Sequence, residues 1–277
     1  MKCAWKELLG ILPSHIRYEV DKPGGENLQE IRLRLNRPAE LVMQKGSIWI
    51  KGTVTQTDLN FVVNTASKYS PWAAATVRHG YITAAGGHRI GLCGECIIHD
   101  GLITGIRNVT SLCIRVAKDI AGISPQFRPE QGSMLIIGPP GSGKTTMLRD
   151  ILRQISKEKT VILVDERGEV FPQGCGFDTG QKLDVLMNCS KQQGINIALR
   201  VMGPAYIAVD EITAQDDCNA LLQAGWCGVN LIATAHAADM YDFINRPIYG
   251  PLVQSGIFES VLSLKPDKSW KMERMRL

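Results

Sequence analysis

The chain has 277 residues, 44% hydrophobic and 21% charged, with no low-complexity tract, which allows one large or two modest domains around a proper core and excludes a disordered or fibrous protein. Its formal net charge of +4 is mild, and the basic residues are scattered rather than interleaved with the 6% aromatics, so nothing demands a nucleic-acid partner. No stretch approaches the roughly 18 apolar residues of a membrane-spanning helix, and eight cysteines suit a reducing compartment. The expected location is therefore cytoplasmic, peripheral to any membrane and reaching it through a partner.

The opening "MKCAWKELLGILPSHIRYEV" has its apolar run broken by Lys6 and Glu7, and no small-residue cleavage site follows. Leu8, Leu9, Ile11 and Leu12 instead suggest a short amphipathic helix. "EIRLRLNRPAELVMQKGSIWIKG" reads as short strands joined by a Pro turn and a Lys-Gly turn. "TDLNFVVNTASKYS" has helical spacing with Thr57 as N-cap. "GYITAAGGHRIGLCGECIIHDGLITGIRNVTSLCIRVA" reads as several antiparallel strands with glycine turns.

Within that stretch Cys93 and Cys96 form a C-x-x-C, but Cys113, Cys175, Cys189, Cys218 and Cys227 stand alone, so no second pair completes a zinc site. Strand alternation would point the two side chains to opposite faces, and core cysteines are expected. "KDIAGISPQFRPEQGS" is turn-rich and polar, as a linker is. From Met134 onward apolar strands alternate with helices, which implies a mainly parallel sheet. The expected class is thus α/β: a smaller α+β N-terminal domain over 1–122, a linker over 123–132, and a P-loop (RecA-like) NTPase domain over 133–277.

"LIIGPPGSGKTTMLRD" carries the chemistry. Gly138, Gly143, Lys144 and Thr145 fit G-x-x-x-x-G-K-[ST], between an apolar strand and an amphipathic helix. Gly138, Pro139, Pro140, Gly141, Ser142, Gly143 and Thr146 complete a loop whose backbone amides and helix N-terminus suit phosphates. Lys144 is placed to reach the β- and γ-phosphates of ATP, and the Thr145 hydroxyl to ligate Mg²⁺. "AYIAVDEIT" brings Asp210 and Glu211 to a strand's C-terminal end, where ligands gather in α/β sheets. Asp210 suits the Mg²⁺ shell, through nucleotide and water, and Glu211 can polarise an attacking water. "TVILVDERGEV" delivers Asp165, Glu166 and Arg167 to a second strand end, and "VNLIATAHAAD" delivers Thr234 and His236 to a third. His236 is a candidate for sensing the γ-phosphate. Polar groups on three strand ends around one phosphate loop describe a hydrolytic machine.

The order of these motifs resembles the ATPases of type II and type IV secretion systems, including pilus motors. The segments "GYITAAGGHRIGLCGE", "DVLMNCSKQQGINIALRVMGPAYIAVDEIT" and "GVNLIATAHA" resemble more closely still the stage III sporulation protein AA family of endospore-forming bacteria, from about Glu30 to Leu264. The resemblance implies roles for Lys144 and Thr145 in Walker A, Glu166 in the acidic box, Glu211 in Walker B and His236 in the His box. It further implies Arg200 as a reader of nucleotide state, and Arg107, Arg115 and Arg89 as candidate arginine fingers. Where that family has R-T-D-V-L-D-x-C-P-K, this chain has "KLDVLMNCSK", with Lys182, Met187 and Ser190 as departures.

What the resemblance implies is a homo-oligomeric, hexameric ATPase on the cytoplasmic face of a membrane channel, in the mother cell. Two other readings stay open: a nucleic-acid-remodelling ATPase, and a scaffold that binds ATP without hydrolysing it.

Overall fold

Alternation along the chain builds the first half. In Leu28–Arg34 (β1) every second or third side chain is buried, as a sheet covered on one face requires. Glu40–Met43 (β2), Ser47–Trp49 (β3), Tyr81–Thr83 (β4), Arg89–His99 (β5) and Leu102–Arg115 (β6) complete an antiparallel sheet in the order β3-β2-β1-β6-β5-β4. The computed structural model describes residues 3–23, 25, 27–68, 80–126, 132–172 and 175–275. By contacts the chain divides into Met1–Asp119 with Pro172–Gly176, and Ile120–Phe171 with Phe177–Leu277.

The first unit buries Leu8, Ile16, Leu28, Ile31, Leu59 and Ile114 in one core. The N-terminal stretch forms two helices, Trp5–Gly10 (α1) and Ser14–Asp21 (α2), where one was expected, because Pro13 interrupts them. The helix Gln56–Lys68 (α3) begins two residues earlier than expected. Thr55, not Thr57, caps it: Thr55 Oγ1 accepts from the Asp58 amide at 3.2 Å, and Asp58 Oδ2 accepts from the Thr55 amide at 2.9 Å.

β5 and β6 turn at Asp100 and Gly101, both at positive φ (51° and 75°), the geometry a two-residue hairpin demands. Cys93 and Cys96 lie on this hairpin and are exposed, not core residues; the register shifts between Cys93 and Glu95, so simple alternation does not hold there.

His88 is completely buried in this unit, with both ring nitrogens satisfied. Nδ1 accepts from the Ala117 amide at 3.1 Å and Nε2 donates to the Ala4 carbonyl at 2.9 Å. Burial lowers its pKa, against the opposing pull of the Ala4 carbonyl and Glu7. The unfolded chain then binds the proton first. This contribution to stability is complete above pH 6.5, begins to fall below that value and is lost as pH drops through the lower folded-state pKa. Urea unfolding across pH 7.5 to 5 checks the loss, and the His88 imidazole resonance should hold its neutral position below pH 6.5.

The second unit has a seven-stranded sheet. Its elements are Met134–Gly138 (β7), Lys144–Ile155 (α4), Val161–Asp165 (β8), Leu183–Met187 (β9), Lys191–Ile197 (α5), Tyr206–Ile212 (β10), Gln215–Trp226 (α6), Asn230–His236 (β11), Met240–Asn245 (α7), Gly250–Ser255 (α8), Ser260–Leu264 (β12) and Trp270–Arg274 (β13). The order is β13-β12-β7-β11-β10-β8-β9, parallel throughout except for β13 at the edge. β7, β8 and the first four residues of β10 are wholly buried, as strands covered on both faces must be. Because β11 lies between β7 and β10, the phosphate-loop strand and the acidic strand are separated by the strand that ends in His236.

The segment expected as a linker is partly tied to this unit. The Asp150 carboxylate, on α4, accepts from the amides of Gly122, Ile123 and Ser124 at 2.8–2.9 Å and from Ser124 Oγ at 2.8 Å. Burial pushes this carboxyl's pKa up, but those bonds prevail and hold it below its ordinary value. Residues 127–131 of the expected linker lie outside the described residues.

Candidate nucleotide site

The loop between β7 and α4 is shaped by its glycines. Gly141 and Gly143 take φ of 75° and 98°, a region that a Cβ disfavours. Gly138 has a different reason: a Cβ there would stand 2.6 Å from Ser142 Oγ and 2.9 Å from the Leu264 carbonyl, at the end of β12. Ser142 Oγ is buried and has no hydrogen-bond partner among the described residues. An unpaired hydroxyl in a cradle of backbone amides at a helix N-terminus fits a phosphate group.

Lys144, the first residue of α4, folds back over the loop. Its Nζ donates to the carbonyls of Gly138 and Pro139 at 2.9 and 3.1 Å and faces His236 Nδ1 at 2.9 Å. Burial lowers its pKa, and the charges of Asp210 and Glu211 pull it back up. Thr145 Oγ1 donates to Asp210 Oδ2 at 3.0 Å. This pair of hard oxygens is the kind of donor set Mg²⁺ takes alongside nucleotide and water.

His236 Nε2 meets Glu211 Oε1 at 3.0 Å. With Nδ1 accepting from the lysine, the proton belongs on Nε2, which donates to the carboxylate. The other oxygen, Oε2, accepts from Arg167 Nη1 at 3.2 Å. Lys144, His236, Glu211 and Arg167 thus form one hydrogen-bonded chain across three strand ends, with Asp210 and Thr145 joined beside it.

Asp165, Glu166, Arg167, Lys191, Asp210 and Glu211 line one recess at these strand ends. Two neighbouring acids there have different duties. Glu166 is half-exposed and bonds Lys191 Nζ at 2.6 Å. Asp165 is 1% exposed and accepts from the backbone amides of Glu169, Val170 and Phe171. Arg149 of α4 donates to the carbonyls of Val170 and Glu169, so the helix that follows the phosphate loop also anchors the loop that follows Glu166 and Arg167.

Nothing in the sequence singles out Lys191. It is a buried cation at a helix start, where the dipole disfavours it, and its partners Glu166 and Asp217 are distant in sequence. Arg200 stands exposed on the π-helical turn Ala198–Met202, outside the hydrogen-bonded chain. Arg107, Arg115 and Arg89 belong to the first unit. There Arg107 pairs with Glu95 at 2.7 Å, Arg115 stands 3.6 Å from Glu30, and Arg89 lies over the Tyr81 ring at 4.0 Å.

A sequence profile for a family described as sporulation stage III, protein AA matches residues 5–272. Stage III sporulation protein AA of Bacillus subtilis (strain 168) is 34% identical over 282 residues, covering 95% of this chain and 91% of that protein. Among solved structures, the pilus retraction motor PilT with bound ADP superposes with a TM-score of 0.62 at 17% identity, covering 90% of this chain and 76% of that one. The ATPase DotB of Legionella pneumophila gives 0.56 at 17% identity, over 89% and 76%. At such identities the two structures speak to the fold, which is that of a P-loop ATPase with an N-terminal domain.

Proposed function

The chain belongs to the sporulation stage III protein AA family, and from that premise we propose that it hydrolyses Mg·ATP to ADP and phosphate to drive the assembly or operation of a membrane-associated transport complex. In that family the complex is the channel joining mother cell to forespore. The observation that carries the reading is the unbroken chain Lys144–His236–Glu211, with Asp210 on Thr145 beside it. A protein that held ATP only for structure would have little use for a carboxylate joined to the phosphate-loop lysine through a histidine.

The roles follow from position. Lys144 and the loop amides would neutralise phosphate charge, and Thr145 and Asp210 would hold Mg²⁺, which when bound would supply charge stabilisation at the transferred phosphoryl group. Glu211 accepts a proton from the attacking water. His236 touches both lysine and glutamate, so a displacement of Lys144 reaches the Glu211 carboxylate in one step. Glu166, held by Lys191, lines the same recess as Asp210 and Glu211. Arg200, exposed on its π-helical turn, would be the reader of nucleotide state. Arg107, Arg115 and Arg89 are the cations that would reach the phosphates from the N-terminal domain on closure.

The assembly in this reading is a homo-hexamer in the mother-cell cytoplasm, attached to the membrane through channel proteins. No helix among the described residues is long and apolar enough to cross a membrane.

Phosphate release from Mg·ATP across a protein concentration series, beside a Lys144→Ala control, is the test. Turnover per subunit that climbs with concentration and disappears in the control is the expected result. ATP binding with no turnover at any concentration would favour the scaffold reading instead.

A further inference from the structure

Two residues of β10 stand opposite one residue of β11. Val209 pairs with Ala233 and Ile212 with Ala235, so Asp210 and Glu211 together oppose Thr234. In an unbroken strand, consecutive side chains point to opposite faces. Asp210 and Glu211 would then be parted by the sheet. The extra residue cancels that alternation, and both carboxylates line the same recess. Glu211 carries the conformational cost, with φ of 54° in the left-handed region that a side chain disfavours.

Thr234 is completely buried, and its hydroxyl is engaged at both ends. Oγ1 accepts from the Glu211 amide at 2.7 Å and donates to Asp210 Oδ1 at 2.6 Å. The same oxygen therefore supplies an acceptor to the strained residue where the ladder register breaks, and pins one side of the Asp210 carboxylate. With Oδ1 pinned, Oδ2 is left on Thr145 Oγ1. Valine has the shape of threonine without either function, and serine has both functions without the methyl group.

We propose that Thr234 is a positioning residue whose hydroxyl holds the bulge that sets Asp210 and Glu211 on one side of the sheet. It rests on the ATPase reading above and deepens it: the Thr234 hydroxyl is engaged by the Glu211 amide and Asp210 Oδ1, and acts through the two carboxylates.

The test compares wild type, Thr234→Val and Thr234→Ser by two readouts. One is phosphate release as a function of Mg²⁺ concentration. The other is binding of Mn²⁺ to the ADP-loaded protein, followed by electron paramagnetic resonance, which needs no turnover. In the valine variant, metal affinity should fall about 10-fold or more, as when a residue supporting a ligand is lost. Its kcat should fall about 100-fold, the order of loss that a misplacement near 1 Å brings. Serine should restore both. An unchanged Mn²⁺ affinity in the valine variant, or a serine variant as impaired as the valine one, would overturn the proposal. If wild type releases no phosphate while valine still weakens Mn²⁺ binding and serine restores it, the ATPase reading fails and the positioning role stands.

Discussion

Glu211→Gln should abolish phosphate release and leave ATP binding intact. The substitution keeps the side chain's volume and one oxygen acceptor for His236 Nε2, now 3.0 Å away. What it removes is the negative charge and the capacity to take a proton. Loss of a general base costs about 10²–10⁴-fold in rate, enough to reduce turnover to background. Binding survives because the groups suited to phosphate, Lys144 and the amides of the loop, are untouched; the lysine also keeps the charge of Asp210, one of the two that offset its burial. Phosphate release and equilibrium titration with a fluorescent ATP analogue, run on the same preparations, separate the two effects. Equal release from both proteins would show that the catalytic carboxylate lies elsewhere.

The second large effect falls on stability, at the acid next to the one the sequence favours. Asp165→Ala should cost about 3–5 kcal/mol, a substantial part of the stability of an ordinary domain. Three backbone amides in the turn after β8, those of Glu169, Val170 and Phe171, lose their acceptor, and each buried group left unpaired costs about 1–3 kcal/mol. The effect should vary with pH. Burial, helped by the Asp210 charge and opposed by the Phe171 and Val170 amides and Arg149, pushes the Asp165 pKa up from 3.8 to about 6. A raised carboxyl pKa means that the folded protein binds the proton more tightly than the unfolded chain. The stability contributed by Asp165 is therefore fullest below pH 4 and is lost as pH rises through 6. Urea unfolding of both proteins at pH 4.5 and pH 7.5 should show the wider gap at the lower value; a wider gap at pH 7.5 would mean that the carboxylate, not the acid, is the form the fold prefers.

Much of this architecture could be read in the sequence because its signals are local. Between Gly138 and Thr145 the residue types needed for a phosphate loop fall at fixed spacing, between a strand of apolar residues and an amphipathic helix. The strand ends at Asp165, Asp210 and His236 are visible for the same reason, each following a buried run. What pairs across strands leaves no such trace. Thr234 reads simply as a polar residue two places before a histidine, and only the register between β10 and β11 shows it facing two carboxylates. Lys191 reads as a surface lysine until Glu166 and Asp217, 25 and 26 residues away on either side, close around it. Thr57 reads as a helix cap because it precedes an apolar pattern; the box between Thr55 and Asp58 starts the helix earlier. Strand alternation and the lack of a second cysteine pair make Cys93 and Cys96 read as core residues, whereas the hairpin that carries them leaves both exposed.

The extra residue between Val209 and Ile212 also bears on how such a protein can change by descent. Substitution can try Asp210 and Glu211 one at a time. A one-residue deletion in β10 just before Asp210 acts on both at once, since it restores ordinary alternation and sends the two acids to opposite faces with both still encoded. Length at this point therefore matters to the site as much as residue type does.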